Sequence, residues 1–307
     1  MVLASIDIGS NSVRLLIGRV RDGEVEVLFA DRVVTRLARG LSVSSVLGDS
    51  EMKMTLEVLE GFKRKAKAMG AEAIKAVATS AIREARNSEE FLKDVLLKTG
   101  LEIEVISGDM EAELTVLGVL SGLNVSSALI VDIGGGSTEW AYTKGGRIFS
   151  KGSIPIGVVK LYERHIDSEP PSREDIMSLD LEIDKAVSSI KDGVGDLGPE
   201  TEFIATAGTA STLASLDLSI ERYDRNLIHC HGIYIDRLRE ISQRLISLPI
   251  KERESLKGLE PSRADLIIPG INFTIKIMEK FGFKKVIISE NGLLEGALLN
   301  LAKGVQD

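Results

Sequence analysis

Apolar positions along the chain follow two rhythms, and each change of rhythm marks an element. Segments 2–8, 13–20 and 24–34 are short apolar or alternating runs and predict three strands, with Arg21-Asp22-Gly23 turning between the last two. Segments 128–132, 137–144 and 146–154 repeat this meander, with Gly145-Gly146 at the hairpin turn. Helical spacing takes over between and after the meanders. Leu56, Leu59, Phe62 and Ala66 predict a helix over 50–69, begun by Asp49 or Ser50 and stopped by Gly70. A strand over 73–78, a short helix capped by Thr79 or Ser80, a helix over 88–98 and a strand over 102–106 follow. The next helix runs to about Ser121 and turns Leu114, Leu117, Val119 and Leu120 to the core. Beyond the second meander come a short helix over 157–164 and a long one from Ser172 to about Lys191, with Ser172 and Glu174 suited to its first turn. A strand over 202–206, helices over 236–247 and 262–281, a strand over 284–288 and a closing helix complete the chain, and 219–235 has loop character.

The chemistry gathers where strands end. The run Ala128–Val131 is followed by Asp132-Ile133-Gly134-Gly135-Gly136-Ser137-Thr138-Glu139. Three glycines permit a tight turn and leave bare N–H groups within reach of an anion, and two hydroxyls add donors. The chain holds a second copy, Asp7-Ile8-Gly9-Ser10-Asn11-Ser12, one domain length upstream. Two similar domains are expected, each offering a loop to one phosphate-bearing ligand across a cleft. Each Asp would hold a hard cation or its waters. Two unrelated hairpins are the plainer alternative. Ala207-Gly208-Thr209 is a third strand–glycine–helix turn, a further contact for an anion or nucleoside.

Other polar clusters have bland readings beside functional ones. Arg83 sits on a first helical turn at a sheet edge, where a guanidinium fork suits phosphate; a plain surface helix is the alternative. Arg36 and Arg39 either face an anion or lie in solvent. Asp109, Glu111 and Glu113 favour a helix N-terminus through its dipole, and one of them could instead be a general base; spacing leaves all three open. His229-Cys230-His231 invites a metal reading, but adjacent ligands are poor zinc spacing, and His231-Gly232 more simply fixes a turn.

Composition narrows the class. A net charge of −8 argues against general nucleic-acid binding, so an anionic ligand needs a local positive site. No stretch reads as a membrane span, the start lacks a basic n-region, and the single cysteine, Cys230, rules out an internal disulfide. A cytoplasmic protein is expected.

As a set, these segments resemble the actin, sugar kinase and heat-shock ATPase superfamily, and within it the exopolyphosphatase / guanosine pentaphosphate phosphohydrolase family. The carrying segments are Asp7 to Arg14, Ala78 to Arg83, Ile106 to Ala112, Asp132 to Glu139, Ala207 to Thr212, His231-Gly232, Arg263-Ala264-Asp265 and Ser289 to Gly296. The resemblance spans nearly the whole chain in order. It implies an α/β fold of two actin-like (ribonuclease H-like) domains with mixed five-stranded sheets flanked by helices and an active site in the interdomain cleft. The expected domains are 1–123, joined by the C-terminal helix 297–307, and 124–296.

The resemblance also implies an activity. Terminal orthophosphate would leave inorganic polyphosphate or guanosine pentaphosphate, which ties the chain to the stringent response. The family's catalytic glutamate directly precedes an alanine, which selects Glu111, with Arg83 beside it. Gly9, Ser10, Asn11, Ser12, Arg14, Gly134, Gly135, Gly136, Ser137, Thr138, Gly208 and Thr209 would hold phosphate. Asp7, Asp132 and Glu139 would bind Mg²⁺ or another divalent cation. Met110 stands where a second glutamate is usual and Glu113 where an arginine is frequent, which bears on chain-length preference. Longer relatives carry a further C-terminal helical domain, and this chain resembles the short form. Neither nucleic acid nor membrane is an expected partner, and a homodimer is left open. An ATP-dependent small-molecule kinase of the same fold and a non-catalytic nucleotide or alarmone sensor are the rival functions.

Overall fold

The computed structural model describes residues 1–306. It divides into two compact units, Met1–Gly122 with the segment from Asn291, and Leu123–Glu290. Each is α/β, built on one mixed sheet.

The first unit contains β1 (Leu3–Ile8), β2 (Ser12–Arg21), β3 (Glu24–Val34), β4 (Ala73–Ala78) and β5 (Ile103–Val105), in the order β3-β2-β1-β4-β5. The meander β1-β2-β3 is antiparallel, while β1, β4 and β5 are parallel. All six residues of β1 are buried, polar Ser5 and Asp7 included, as in a strand covered on both faces. The second unit contains β6 (Ser127–Ile133), β7 (Thr138–Lys144), β8 (Arg147–Ile154), β9 (Glu202–Thr206), β10 (Gly232–Tyr234) and β11 (Lys285–Ser289), in the order β10-β11-β9-β6-β7-β8. The tight hairpins of both meanders have left-handed φ at both central residues: 53° and 82° at Asp22-Gly23, 57° and 72° at Gly145-Gly146. That twist matches the twist of the flanking strands.

The second sheet therefore has six strands where five were expected. The sixth, β10, lies in the segment read as loop, with a one-turn helix, Arg225–Ile228, just before it. Three residues cannot display an alternation. Antiparallel pairing with the edge of β11 makes this strand, which is a tertiary event. The helix expected from 262 begins at Ile267, because Pro261–Arg263 forms a separate 3-10 turn. The helix of the first unit starts at Asp49 behind Gly48, with no side-chain cap. The long helix Arg173–Val194 has a full capping box: Ser172 accepts from the Asp175 N–H, and Asp175 accepts from the Ser172 N–H.

Two helices of the first unit meet at backbone distance. Gly108–Gly122 and Leu293–Gln306 touch where a Cβ on Gly118 would lie 1.9 Å from the Gly292 carbonyl oxygen. A Cβ on Gly296 would lie 1.8 Å from that of Leu114. The first of these helices is consequently buried on more than one side. Ala112, Thr115, Val116 and Gly118 are covered along with Leu114 and Val119, while Leu117 and Leu120 are only part-buried. The Ser5 hydroxyl donates to Leu294 O at 2.8 Å and ties the closing helix to β1. Among the described residues no helix is long and apolar enough to cross a membrane.

Candidate active site

The first unit's site forms at the edge where β1 and β4 end together. Parallel strands deliver their C-terminal loops to the same edge, the usual ligand side of an open α/β sheet. Beyond Ile8 the chain turns at Gly9, whose N–H donates to Ser12 O at 3.1 Å. Asp7 is 2% exposed and is the cross-strand partner of Arg14. The Arg14 guanidinium grips one carboxylate oxygen, Oδ2, with Nε at 2.8 Å and Nη2 at 2.7 Å. The other oxygen, Oδ1, is buried with no hydrogen-bond partner among the described residues. Ser10 Oγ, both amide atoms of Asn11 and Thr35 Oγ1 are in the same condition. A buried polar atom without a partner costs about 1–3 kcal/mol, so a cluster of them at a loop tip points to a polar ligand.

The segment after β3 straps this loop from behind. Thr35 and Arg36 N–H groups donate to Asn11 O at 3.1 and 2.9 Å, and the Ala38 N–H to Ser10 O at 2.9 Å. The N–H groups of Ser10 and Asn11 have no acceptor among the described residues. They form a small concavity of donors of the kind that holds anions.

β4 leads into the short helix Ser80–Glu84. Thr79 precedes it but makes no side-chain cap, and the Ser80 hydroxyl instead donates to Glu84 Oε1 at 2.6 Å. Arg83 reaches from this helix to two acceptors, Ile106 O at 2.8 Å and Glu111 Oε2 at 3.3 Å. Ile106 N–H donates to Ala78 O at 3.0 Å, which brings the start of the Glu111 helix to the end of β4. Of the three acids in that first turn, Asp109 and Glu113 are exposed and only Glu111 is buried. Spacing left the three equivalent; burial and the Arg83 contact separate them.

The second unit repeats the loop. Gly134 N–H donates to Ser137 O at 3.0 Å, as Gly9 does to Ser12. Val158 and Val159 N–H groups donate to the carbonyls of Gly134 and Gly135 at 2.9 and 2.8 Å. The Gly135 and Gly136 N–H groups have no acceptor among the described residues. The Thr138 hydroxyl, expected at phosphate, donates to Ile156 O at 2.7 Å. Asp132 is the cross-strand partner of Glu139, and both carboxylates are buried. Ser153, which the sequence did not single out, donates its hydroxyl to Glu139 Oε1 at 2.6 Å.

Two buried carboxylates opposite one another repel unless a cation or proton lies between them. This pair and the orphaned Asp7 Oδ1 are hard oxygen donors of the sort Mg²⁺ takes. Among the described residues no group of three or more potential ligands gathers. Mg²⁺ retains several waters and commonly uses one or two carboxylates with substrate phosphates, so the residues present fit it.

At the third turn a Cβ on Gly208 would lie 2.1 Å from Nη2 of Arg263, whose guanidinium therefore lies flat against this glycine. The Thr209 hydroxyl donates to Ile133 O at 2.9 Å, tying the turn to β6. His231 Nε2 lies 2.7 Å from Asp217 Oδ2, His229 Nδ1 accepts from Glu290 N–H, and Cys230 N–H donates to Ile288 O. This segment is engaged as a turn beside β11. Arg39 lies 3.9 Å from Glu51, and Arg36 has a left-handed φ of 51°.

The sequence profile of the Ppx/GppA phosphatase family matches residues 16–304. The chain belongs to the Ppx/GppA phosphatase family. Exopolyphosphatase 2 of Mycobacterium tuberculosis is 31% identical to it over 98% of both chains. The crystal structure of the Aquifex aeolicus Ppx/GppA family member covers 100% of this chain and 99% of its own, with 32% identity and a TM-score of 0.85. An exopolyphosphatase from Cytophaga hutchinsonii has the same fold, with a TM-score of 0.89 at 23% identity over 99% of this chain and 98% of its own. The matched segment begins after the first Asp-Ile-Gly loop and runs through the second into both units.

Proposed function

We propose that this protein is a phosphoanhydride hydrolase that releases terminal orthophosphate from inorganic polyphosphate, guanosine pentaphosphate or both. One observation carries the reading: the buried carboxylate of Glu111 is held by Arg83 at the sheet edge that also carries the Gly9–Ser12 loop. The exopolyphosphatase name of the M. tuberculosis relative, similar along its whole length, supports polyphosphate as substrate.

In this mechanism the N–H groups of Ser10, Asn11, Gly135 and Gly136 bind phosphate oxygens, with Ser12, Ser137 and the turn at Gly208-Thr209 offering further contacts. Glu111 accepts a proton from water as the water oxygen bonds to the terminal phosphorus. The bridging P–O bond breaks, and its electron pair leaves on the shortened chain. Arg83 holds the glutamate and offsets charge on the transferred group, while Arg14 holds Asp7. Asp7, Asp132 and Glu139 are the carboxylates for Mg²⁺, which when bound neutralises phosphate charge. The setting is the cytoplasm, in keeping with a chain of one cysteine.

The test is phosphate release from long polyphosphate, short polyphosphate and guanosine pentaphosphate, with Mg²⁺ and with chelator. Metal-dependent release from at least one is expected, and the preferred substrate names the specificity. No release from any of them overturns the reading, and acceptor-dependent ADP formation from ATP would replace it with the kinase.

A further inference from the structure

Each glycine loop is aimed from behind by the segment that follows its meander. A trans peptide points its carbonyl and the next N–H in opposite directions, and among the described residues the only cis bond is at Glu169-Pro170. Whatever fixes the carbonyls of Gly134 and Gly135 therefore fixes the N–H groups of Gly135 and Gly136. Val158 and Val159, at the start of the helix Val158–His165, hold those two carbonyls. The first unit has a related construction one residue further along: Ala38 holds Ser10 O and Thr35 and Arg36 hold Asn11 O, which fixes the N–H groups of Asn11 and Ser12. The loops share little sequence beyond Asp-Ile-Gly, so the shared element is the strap.

Two residues outside the loop set this strap in the second unit. Gly157 lies flat on it: a Cβ there would be 2.5 Å from both the carbonyl carbon and oxygen of Gly135 and 2.6 Å from Gly134 O. Lys160 is only 7% exposed, and its ammonium donates to Pro155 O at 3.1 Å, across the turn that brings Gly157 to the loop. A lysine so deeply buried is uncommon without a specific bonding role. The Thr138 hydroxyl holds the same turn at Ile156 O.

We infer that Gly157 and Lys160 are positioning residues that aim the Gly135 and Gly136 N–H groups at phosphate. They act through the strap and touch neither substrate nor metal. The inference rests on the proposed phosphate role of the Gly134–Thr138 loop.

The experiment compares wild type with Lys160→Met, Lys160→Arg and Gly157→Ala. It reads kcat and KM on polyphosphate with Mg²⁺, tripolyphosphate affinity by calorimetry, and Tm. Lys160→Met keeps the stem and removes the ammonium; KM should rise roughly tenfold, about the worth of one net hydrogen bond, with kcat and Tm little changed. Lys160→Arg should restore most of the affinity, because it can again donate to Pro155 O. Gly157→Ala displaces the loop itself and should cost about a hundredfold in kcat/KM if it folds. Wild-type KM and tripolyphosphate affinity in folded Lys160→Met overturn the inference. So does a lowered Tm with unchanged constants, which marks a purely structural residue. If wild type releases no phosphate, the functional reading fails by itself, and tripolyphosphate affinity still decides the strap: weaker binding in Lys160→Met upholds it and equal binding overturns it.

Discussion

Asp132 faces Glu139 across β6 and β7, at the place where Asp7 faces Arg14 across β1 and β2. The duplicated meander thus carries an acid–base pair in one unit and an acid–acid pair in the other. Arg14 neutralises Asp7 within the protein. Position 139 carries a second acid where position 14 carries a base, and two buried carboxylates at paired strand positions favour a proton or a cation.

A divalent cation should therefore stabilise the wild type, and chelation should lower its Tm. Asp132→Asn removes one charge of the pair. In chelator its Tm should equal or exceed that of wild type, and the gain on adding Mg²⁺ should shrink. Calorimetric scans with and without Mg²⁺ check both. An undiminished Mg²⁺ gain in Asp132→Asn would remove this pair from the metal site.

Glu111→Gln keeps the side-chain shape and the Arg83 contact but cannot take a proton. Turnover should fall by roughly 10²–10⁴, the usual worth of general base catalysis, with Tm close to wild type. Steady-state phosphate release with matched melting curves decides it. Unchanged turnover would sink the assignment of the base.

The seam between helices Gly108–Gly122 and Leu293–Gln306 has no room for a methyl group. Gly296→Ala would set a Cβ 1.8 Å from Leu114 O and force backbone apart. A loss of about 1–3 kcal/mol or more is expected from such overpacking. Because the Glu111 helix forms one side of the seam, kcat should also fall. Urea denaturation and kinetics on the same preparation test the two effects together.

The capping box predicts a pH-dependent stability. The Ser168 hydroxyl, then the Ser172 and Ser168 N–H groups, hold the Asp175 carboxyl below the usual carboxylate range, although burial works the other way. A depressed native value means that the unfolded chain binds the proton more tightly. The stabilisation is therefore complete above the unfolded value of about 3.9 and is lost as pH falls through the native one. The Tm difference between wild type and Asp175→Asn should be constant near neutral pH and shrink as pH falls below the unfolded value of about 3.9. Ser172→Ala should cost roughly 1 kcal/mol at pH 7 as a lost cap. A Tm gap independent of pH would show that the charge plays no part.

Much was legible in the chain alone, for local reasons. Strand period, helical period and left-handed turn residues such as Asp22-Gly23 and Gly145-Gly146 are encoded within a few residues, and they gave both meanders and most helices. The repeated Asp-Ile-Gly loops and the ordered set of segments sufficed to suggest the family. What the sequence did not reveal depends on partners far along the chain. β10 exists because β11 offers it an edge. Glu111 parts from Asp109 and Glu113 because it is buried and held by Arg83, from another element, while the other two face solvent. Arg14 meets Asp7, and Glu139 meets Asp132, through strand register. Gly157 matters because Gly135 lies against it. Each of these is a contact between residues that local propensity cannot see, so the tertiary structure alone decided them.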